Sequence, residues 1–486
     1  MSNGSKDSVE APVDADFPTA PPERGVFANR TLNLRSIQAV GYDMDYTLIH
    51  YQVEAWEEAA FRYAQANLIA MGLPVDSFRF DPEAFTIGLT FDLEAGNLLK
   101  ATRFGYVVRA SHGTRMLPFE EQRRQYTETI VELSEPRFKF MNTLFELSRA
   151  SLWCQLVDAH DRSPIRGVSG YADLYRVVHQ ALADTHLDGA LKGEILADPD
   201  RFIDPDPDVV QTLIDQRSSG KNLLLITNSD WAYTQRMMAH TVDPYCPPGS
   251  SWRDLFDIVI VSANKPRFFQ GNNPIYKVVD EERSLLAPHR GLLEPGSVYF
   301  GGNALIVEES IGLSGGQPLY VGDHLFGDVL VTKDVLRWRT ALIARELEAE
   351  IKAAISFSDR QRELEALMSD KVALDRRQAH LRLAVQHGAN GTGRGSSMRR
   401  ELDQASNRAL ALDDRIAPLA AEASTLGNPN WGPLMRAGND KSLFARQVER
   451  YADVYTSRVS NLRYETPFGY LRAARGSLPH DGASAG

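Results

Sequence analysis

Cysteine is almost absent from this chain, with Cys154 and Cys246 the only two among 486 residues. They stand far apart and without metal-ligand spacing, which fits a reducing, cytoplasmic setting rather than a disulfide-built exterior. No apolar run approaches the roughly 20 residues of a membrane span. The N-terminus lacks a positive segment followed by an apolar one, so it does not read as a secretory leader. No membrane partner is expected. Long basic tracts are missing as well, and the net charge is −11. Nucleic acid is therefore not an expected partner. A phosphorylated small molecule stays open, because local positive charge decides that. There is no internal repeat. What remains is the composition of a globular protein, 43% apolar and 24% charged, at a length that implies two or three units.

One stretch organises the rest. The apolar run from Ile37 to Tyr42 ends in two carboxylates, Asp43 and Asp45, with Thr47 and Leu48 just beyond. This reads as a buried strand whose carboxyl end presents acids at the rim of a sheet, where open α/β sheets bind ligands. At period two, Asp43 and Asp45 point the same way. Such a pair holds a divalent cation, or one member attacks while the other handles a proton. The plain alternative is a strand-end turn, where Asp is common.

Further apolar runs end in polar groups: 221–226 in Thr227, Asn228 and Ser229; 257–261 in a loop with Lys265; 297–300 in two glycines; 319–321 in Gly322, Asp323 and His324; and a last short run at 340–344. Continuous apolar strands separated by helical stretches predict a parallel sheet buried on both faces. Between the first strand and the next lies far more chain than the dozen or so residues a crossover needs, so a separate unit is inserted there. The expected organisation is a disordered tail over 1–25, an α/β core from 26–50 and 200–345, and an inserted α+β cap over 51–199. A helical hairpin follows over 346–426, broken by the Gly-rich stretch 388–397. A segment packing on the core spans 427–476, and a second disordered tail 477–486.

Four strand ends carry complementary chemistry. Asp43 and Asp45 end the first. Thr227, Asn228 and Ser229 end the second, at a strand-to-helix turn suited to an anionic oxygen. Lys265 follows the third, where an ammonium neutralises charge built up in group transfer. Asp323, with Asp328 five residues on, completes with Asp43 an acidic cluster of the kind that Mg²⁺ favours. Each piece alone has a bland counterpart: Thr227 a helix cap, Lys265 a solvated loop lysine, Asp323 a turn former. Their order on one α/β pattern, all at carboxyl ends, is what points to a site.

Asp-Met-Asp-Tyr-Thr at 43–47, Thr-Asn-Ser at 227–229, Lys265-Pro266 and Gly-Asp-His-Leu-Phe-Gly-Asp at 322–328 resemble the four ordered motifs of the haloacid dehalogenase superfamily. Together with Ala-Asn-Lys-Pro-Arg-Phe-Phe at 263–269, Asn-Thr-Leu-Phe at 142–145 and Arg-Tyr-Ala-Asp-Val-Tyr at 450–455, they resemble more closely its cytosolic purine (IMP/GMP-preferring) 5′-nucleotidases, from about Val26 to about Arg475. The resemblance implies a nucleoside monophosphate substrate and Mg²⁺ as cofactor. It implies that Asp43 attacks phosphorus, and that Asp45 protonates the leaving oxygen while its carbonyl touches the metal. Thr227, Asn228, Ser229 and Lys265 would hold phosphate, and Asp323 and Asp328 would serve the metal. In the cap, Phe145 would stack on the base, with His186 and Lys192 near the substrate.

Departures accompany the match. Where the family reads the purine edge with an arginine and an aspartate, this chain has His179 and Ala183, which removes polar partners that discriminate bases. Asn142, Phe326, Gln447 and Arg450 match the family's regulatory nucleotide site, but Glu132 and Asp334 replace basic positions there. Reversed charge repels an anion, so polyphosphate activation is not expected. Alongside hydrolysis of nucleoside monophosphates stand transfer of the phosphoryl group to another nucleoside, a phosphatase for another nucleotide or a sugar phosphate, and a non-catalytic scaffold built on the hairpin. The hairpin and the aromatic C-terminal block make a homo-oligomer possible.

Overall fold

The computed structural model describes residues 19–187, 189–387 and 393–476, without the side chains of 186, 187 and 393–395. Its centre is a 10-stranded sheet. Strand Ala39–Tyr42 lies in the middle, parallel to Pro318–Gly322 on one side and to Asn222–Ile226 on the other. Successive strands thus step away from it in both directions, which makes its carboxyl end the point where the topology switches and a crevice opens. Ile258–Val261 and Ser297–Gly301 continue the parallel order on one flank, and Arg339–Ile343 on the other. Every residue of Ala39–Tyr42, Ile258–Val261 and Pro318–Gly322 is buried, as continuous apolar runs covered by helices on both faces require.

The sheet is not purely parallel. Ile275–Asp280 and Leu285–Pro288 form an antiparallel hairpin at one edge, and Phe27–Ala28 is antiparallel at the other. The C-terminal segment does more than pack on the core. Its Val454–Thr456 enters the sheet as a parallel strand beside Arg339–Ile343. The short apolar stretch lacked the length that marks a strand in sequence, and only the open edge recruits it.

Chain leaves the core through His50–Tyr51 and returns through Ile203–Asp204, and these two short strands pair antiparallel as a neck. Between them a five-stranded antiparallel sheet, built from segments between Thr90 and Phe140, packs with helices Val53–Ala70, Leu147–Arg162 and Tyr171–Leu187. Helix Ser358–Gln386 packs along Gly393–Ala423. Two expectations need correction. The second hairpin helix starts inside the Gly-rich stretch, at Gly393. The expected tail over 1–25 ends early, because Pro22–Arg24 forms a helical turn and Arg24 donates to Ser460 Oγ at 2.7 Å. A proline-rich run with few apolar residues carried no sign of that docking.

Candidate active site

Strand Ala39–Tyr42 stops one residue short of Asp43, whose N–H still donates to Val321 O at 2.9 Å. The chain then folds back, with the N–H groups of Leu48 and Ile49 donating to Met44 O. This tight loop leaves both carboxylates at the rim but gives them different partners. Asp43 Oδ1 accepts from Met44 N at 2.7 Å, and Oδ2 lies 2.7 Å from Lys265 Nζ. Asp45 accepts from Tyr51 Oη at 2.5 Å and from Ser229 Oγ at 2.8 Å.

Lys265 is the hub. Its ammonium pairs with the Asp43 carboxylate at 2.7 Å and the Asp328 carboxylate at 3.0 Å, and donates to Tyr320 Oη at 3.1 Å. Glycine makes two of these contacts possible. A Cβ on Gly41 would come within 2.9 Å of the Tyr320 ring, and a Cβ on Gly322 within 2.5 Å of Asp328 Oδ2. The Lys265 backbone is gripped by Asn228, whose amide accepts from Lys265 N at 2.6 Å and donates to Lys265 O at 3.2 Å. Thr227 Oγ1, fully buried, accepts from Ser229 N at 3.0 Å, so its own hydroxyl proton remains for another acceptor.

Carboxylate oxygens of Asp43, Asp323 and Asp328 all lie within 4.8 Å of one another. Thr143 Oγ1 reaches over from the inserted unit to donate to Asp323 at 3.1 Å. Packing acids together out of water favours their neutral forms. Burial pushes Asp43 up to about 6, against the pull of Lys265 and with the help of Asp328. Burial, then the charges of Asp43 and Asp328, hold Asp323 well above the usual carboxylate range. Asp45 is raised too, chiefly by burial, against its hydrogen bond from Tyr51. For Lys265 burial opposes charge, but Asp328 and Asp43 outweigh it and hold the ammonium firmly protonated. When ionised, three acids against one ammonium leave an excess of negative charge, and an all-oxygen donor set of this kind suits a hard divalent cation.

A model of the 5′ nucleotidase family matches residues 26–483. The chain belongs to the 5′ nucleotidase family. It is thereby a phosphoric monoester hydrolase. It is 28% identical over 473 residues to human "5'-nucleotidase domain-containing protein 2", covering 94% of this chain and 85% of that protein. It is 26% identical over 476 residues to a 5′-nucleotidase domain-containing protein of Dictyostelium discoideum, covering 96% and 76%. Among solved structures, an archaeal beta-phosphoglucomutase from Pyrococcus aligns with TM-score 0.29 and 11% identity, over 63% of this chain and 86% of that one.

Residues named from sequence fall into three places in this 5′ nucleotidase family member. Asp43, Asp45, Thr227, Asn228, Ser229, Lys265, Asp323 and Asp328 meet at one rim of the sheet. Lys192 approaches from helix Ala190–Ala197. Its ammonium lies 3.0 Å from Asp230 and 4.8 Å from the centre of the Tyr233 ring. Phe145 packs edge-on against Tyr46, with centroids 4.7 Å apart, and against Trp56 at 5.5 Å. Among the cap positions, the His186 side chain lies outside the described residues. His179 stacks on Tyr175 at 6.4 Å, and Arg149 lies 5.7 Å from the Tyr175 ring. Sequence reasoning missed Tyr51, Tyr233, Tyr320 and Thr143. Each stands within six residues of one that was named, but its hydrogen-bond partner at the site is set by the fold.

Proposed function

We propose that this protein is a Mg²⁺-dependent 5′-nucleotidase that hydrolyses nucleoside 5′-monophosphates, IMP and GMP foremost. The observation that carries the reading is the Asp43–Lys265–Asp328 arrangement, with Asp45 two residues from Asp43, at the switch point of a chain of the 5′ nucleotidase family. Asp43 is the nucleophile. Its carboxylate oxygen attacks phosphorus, the bond from phosphorus to the ribose 5′ oxygen breaks, and Asp45 gives that oxygen a proton. The products of this half are the free nucleoside and an acyl phosphate on Asp43. In the second half Asp45 takes a proton from water, the water oxygen bonds to phosphorus, and the bond from phosphorus to the Asp43 oxygen breaks to restore Asp43 and release phosphate.

The Lys265 ammonium neutralises and the Thr227 hydroxyl orients the phosphoryl oxygens, with Ser229 lining the same site and Asn228 fixing the Lys265 backbone. Asp43, Asp323 and Asp328 would hold Mg²⁺ together with the Asp45 carbonyl, and the cation when bound supplies positive charge to the phosphoryl oxygens. We assign residues 51–199 as the cap over this rim, with Phe145, His186 and Lys192 on the substrate side. The purine preference is supported by the resemblance of the motifs alone, with His179 and Ala183 standing where the family reads the purine edge. The test is phosphate release from IMP, GMP, AMP, UMP, CMP and sugar phosphates. Preference for IMP and GMP, lost in Asp43→Asn, is expected. Asp43-dependent release from sugar phosphates alone would discard the nucleotide assignment.

A further inference from the structure

The reading just proposed gives Asp45 a proton to deliver and then to recover. Proton transfer of this kind depends on where the carboxyl group points, and the molecule controls that from an unassigned place. Tyr51 Oη donates to Asp45 Oδ1 at 2.5 Å, and Tyr233 Oη lies 3.2 Å from Tyr51 Oη. Since the Tyr51 proton is committed to Asp45, Tyr233 is the donor in the second bond. Both tyrosines are buried, 3% and 2% exposed, so neither exchanges freely with water. Ser229 holds the other Asp45 oxygen at 2.8 Å. Each carboxyl oxygen keeps a second lone pair free for the leaving group or for water.

Tyr51 has a particular position in the chain. It belongs to the neck strand His50–Tyr51, where the inserted unit begins, and it is in register with Ile203, where that unit ends. Its partner Tyr233 is on the core helix Trp231–Thr241 and lies beneath Lys192 from the inserted unit, 4.8 Å from the ring. Lys192 in turn pairs with Asp230, the cap of the same helix and the residue after Ser229. Both arms holding Asp45 therefore run to points where the inserted unit meets the core.

We propose that Tyr51, backed by Tyr233, is a positioning residue that sets the orientation of the Asp45 carboxyl group and ties it to the seating of the inserted unit. This inference rests on the assignment of Asp45 as proton donor. The Tyr51 hydroxyl proton goes to Asp45, so Tyr51 acts through that carboxyl group. Its loss therefore slows proton delivery without loosening the phosphate site. Burial holds the Tyr51 hydroxyl protonated well above neutral pH, so it stays a donor.

The test compares two esters in Tyr51→Phe and Tyr233→Phe. With IMP, Tyr51→Phe is expected to lower kcat by about 10- to 100-fold, a fraction of what general acid–base catalysis contributes, and to leave KM within about threefold. With p-nitrophenyl phosphate, whose leaving group departs without a proton, the loss is expected to stay below about threefold when release of the leaving group is read in the first turnover, before the water step that both esters share. Tyr233→Phe, which keeps the Tyr51–Asp45 bond, should show a weaker form of the same split. Equal losses on both esters, or none on IMP, would overturn the positioning role. If Tyr51→Phe does not fold, Tyr233→Phe carries the same comparison, and the same outcomes support or overturn the role. Asp43→Asn run in parallel separates the two failures. Its inactivity with equal ester losses sinks only the Tyr51 role, while retained activity sinks the aspartyl-phosphate reading and this inference together.

Discussion

Lys265 shows how one residue can serve folding and chemistry at once. Its ammonium is almost fully buried between Asp43 and Asp328. Buried pairs add little net stability, but removing one partner strands the other charge, which costs about 3–5 kcal/mol. Lys265→Met leaves two carboxylates without their counter-charge, and protonation is their one relief. The variant should therefore unfold more easily than the parent at pH 8 and recover much of the difference at pH 5, where Asp43, already raised to about 6, carries a proton. Urea unfolding at both pH values measures this. A difference that is flat with pH would mean the carboxylates find other partners. Loss of phosphate release by about two orders of magnitude or more is expected alongside.

The neck is the element that joins the two halves of the fold, and it contains a group with a marked pH demand. His50 is 2% exposed, its Nδ1 has no hydrogen-bond partner, and burial, then the charges of Arg345 and Arg24, depresses it to about 3. In the unfolded chain it titrates near 6.5. Between those values the unfolded state binds a proton that the folded state does not, so folding stability rises with pH across that window and falls as pH drops below about 6.5. The full slope from one such proton is about 1.4 kcal/mol per pH unit. Measured between pH 7 and pH 5, the loss of stability should be smaller in His50→Gln than in the parent. The same loss in both chains would assign the effect elsewhere. Tyr51 follows His50 directly, so a loosened neck also reaches Asp45.

At the scale of the whole molecule the carboxylate cluster draws on the central sheet and on the segment between its first two strands. Asp43 follows the central strand, Asp323 and Asp328 follow its neighbour, and Thr143 holds Asp323 from the inserted unit. A cation bound there stabilises the folded state alone, by about 2.7 kcal/mol at a hundred times its dissociation constant. Adding Mg²⁺ should raise the thermal midpoint by several degrees, and Asp323→Asn should remove most of that rise. Exhaustive chelation should abolish phosphate release. An unchanged midpoint together with undiminished turnover after chelation would remove Mg²⁺ from the proposal.

The amino-acid sequence by itself determined the parallel core and the order of its polar strand ends. Those are local facts: an apolar run long enough to be a strand, then Asp43, Thr227, Lys265 or Asp323 where it stops. It also led to the expectation of an inserted unit, because the chain between Asp43 and Thr227 far exceeds any crossover. Tertiary structure alone decided what lies beyond the reach of local pattern. The strand Val454–Thr456 exists because an edge was open to it. Lys265 became a hub because Gly41 lets Tyr320 lie across the central strand. Asp45 acquired Tyr51 and Tyr233 because the neck and a core helix meet there, 182 residues apart in the chain. Hydrogen bonds between distant segments leave no period and no spacing to read, since their partners are chosen by packing.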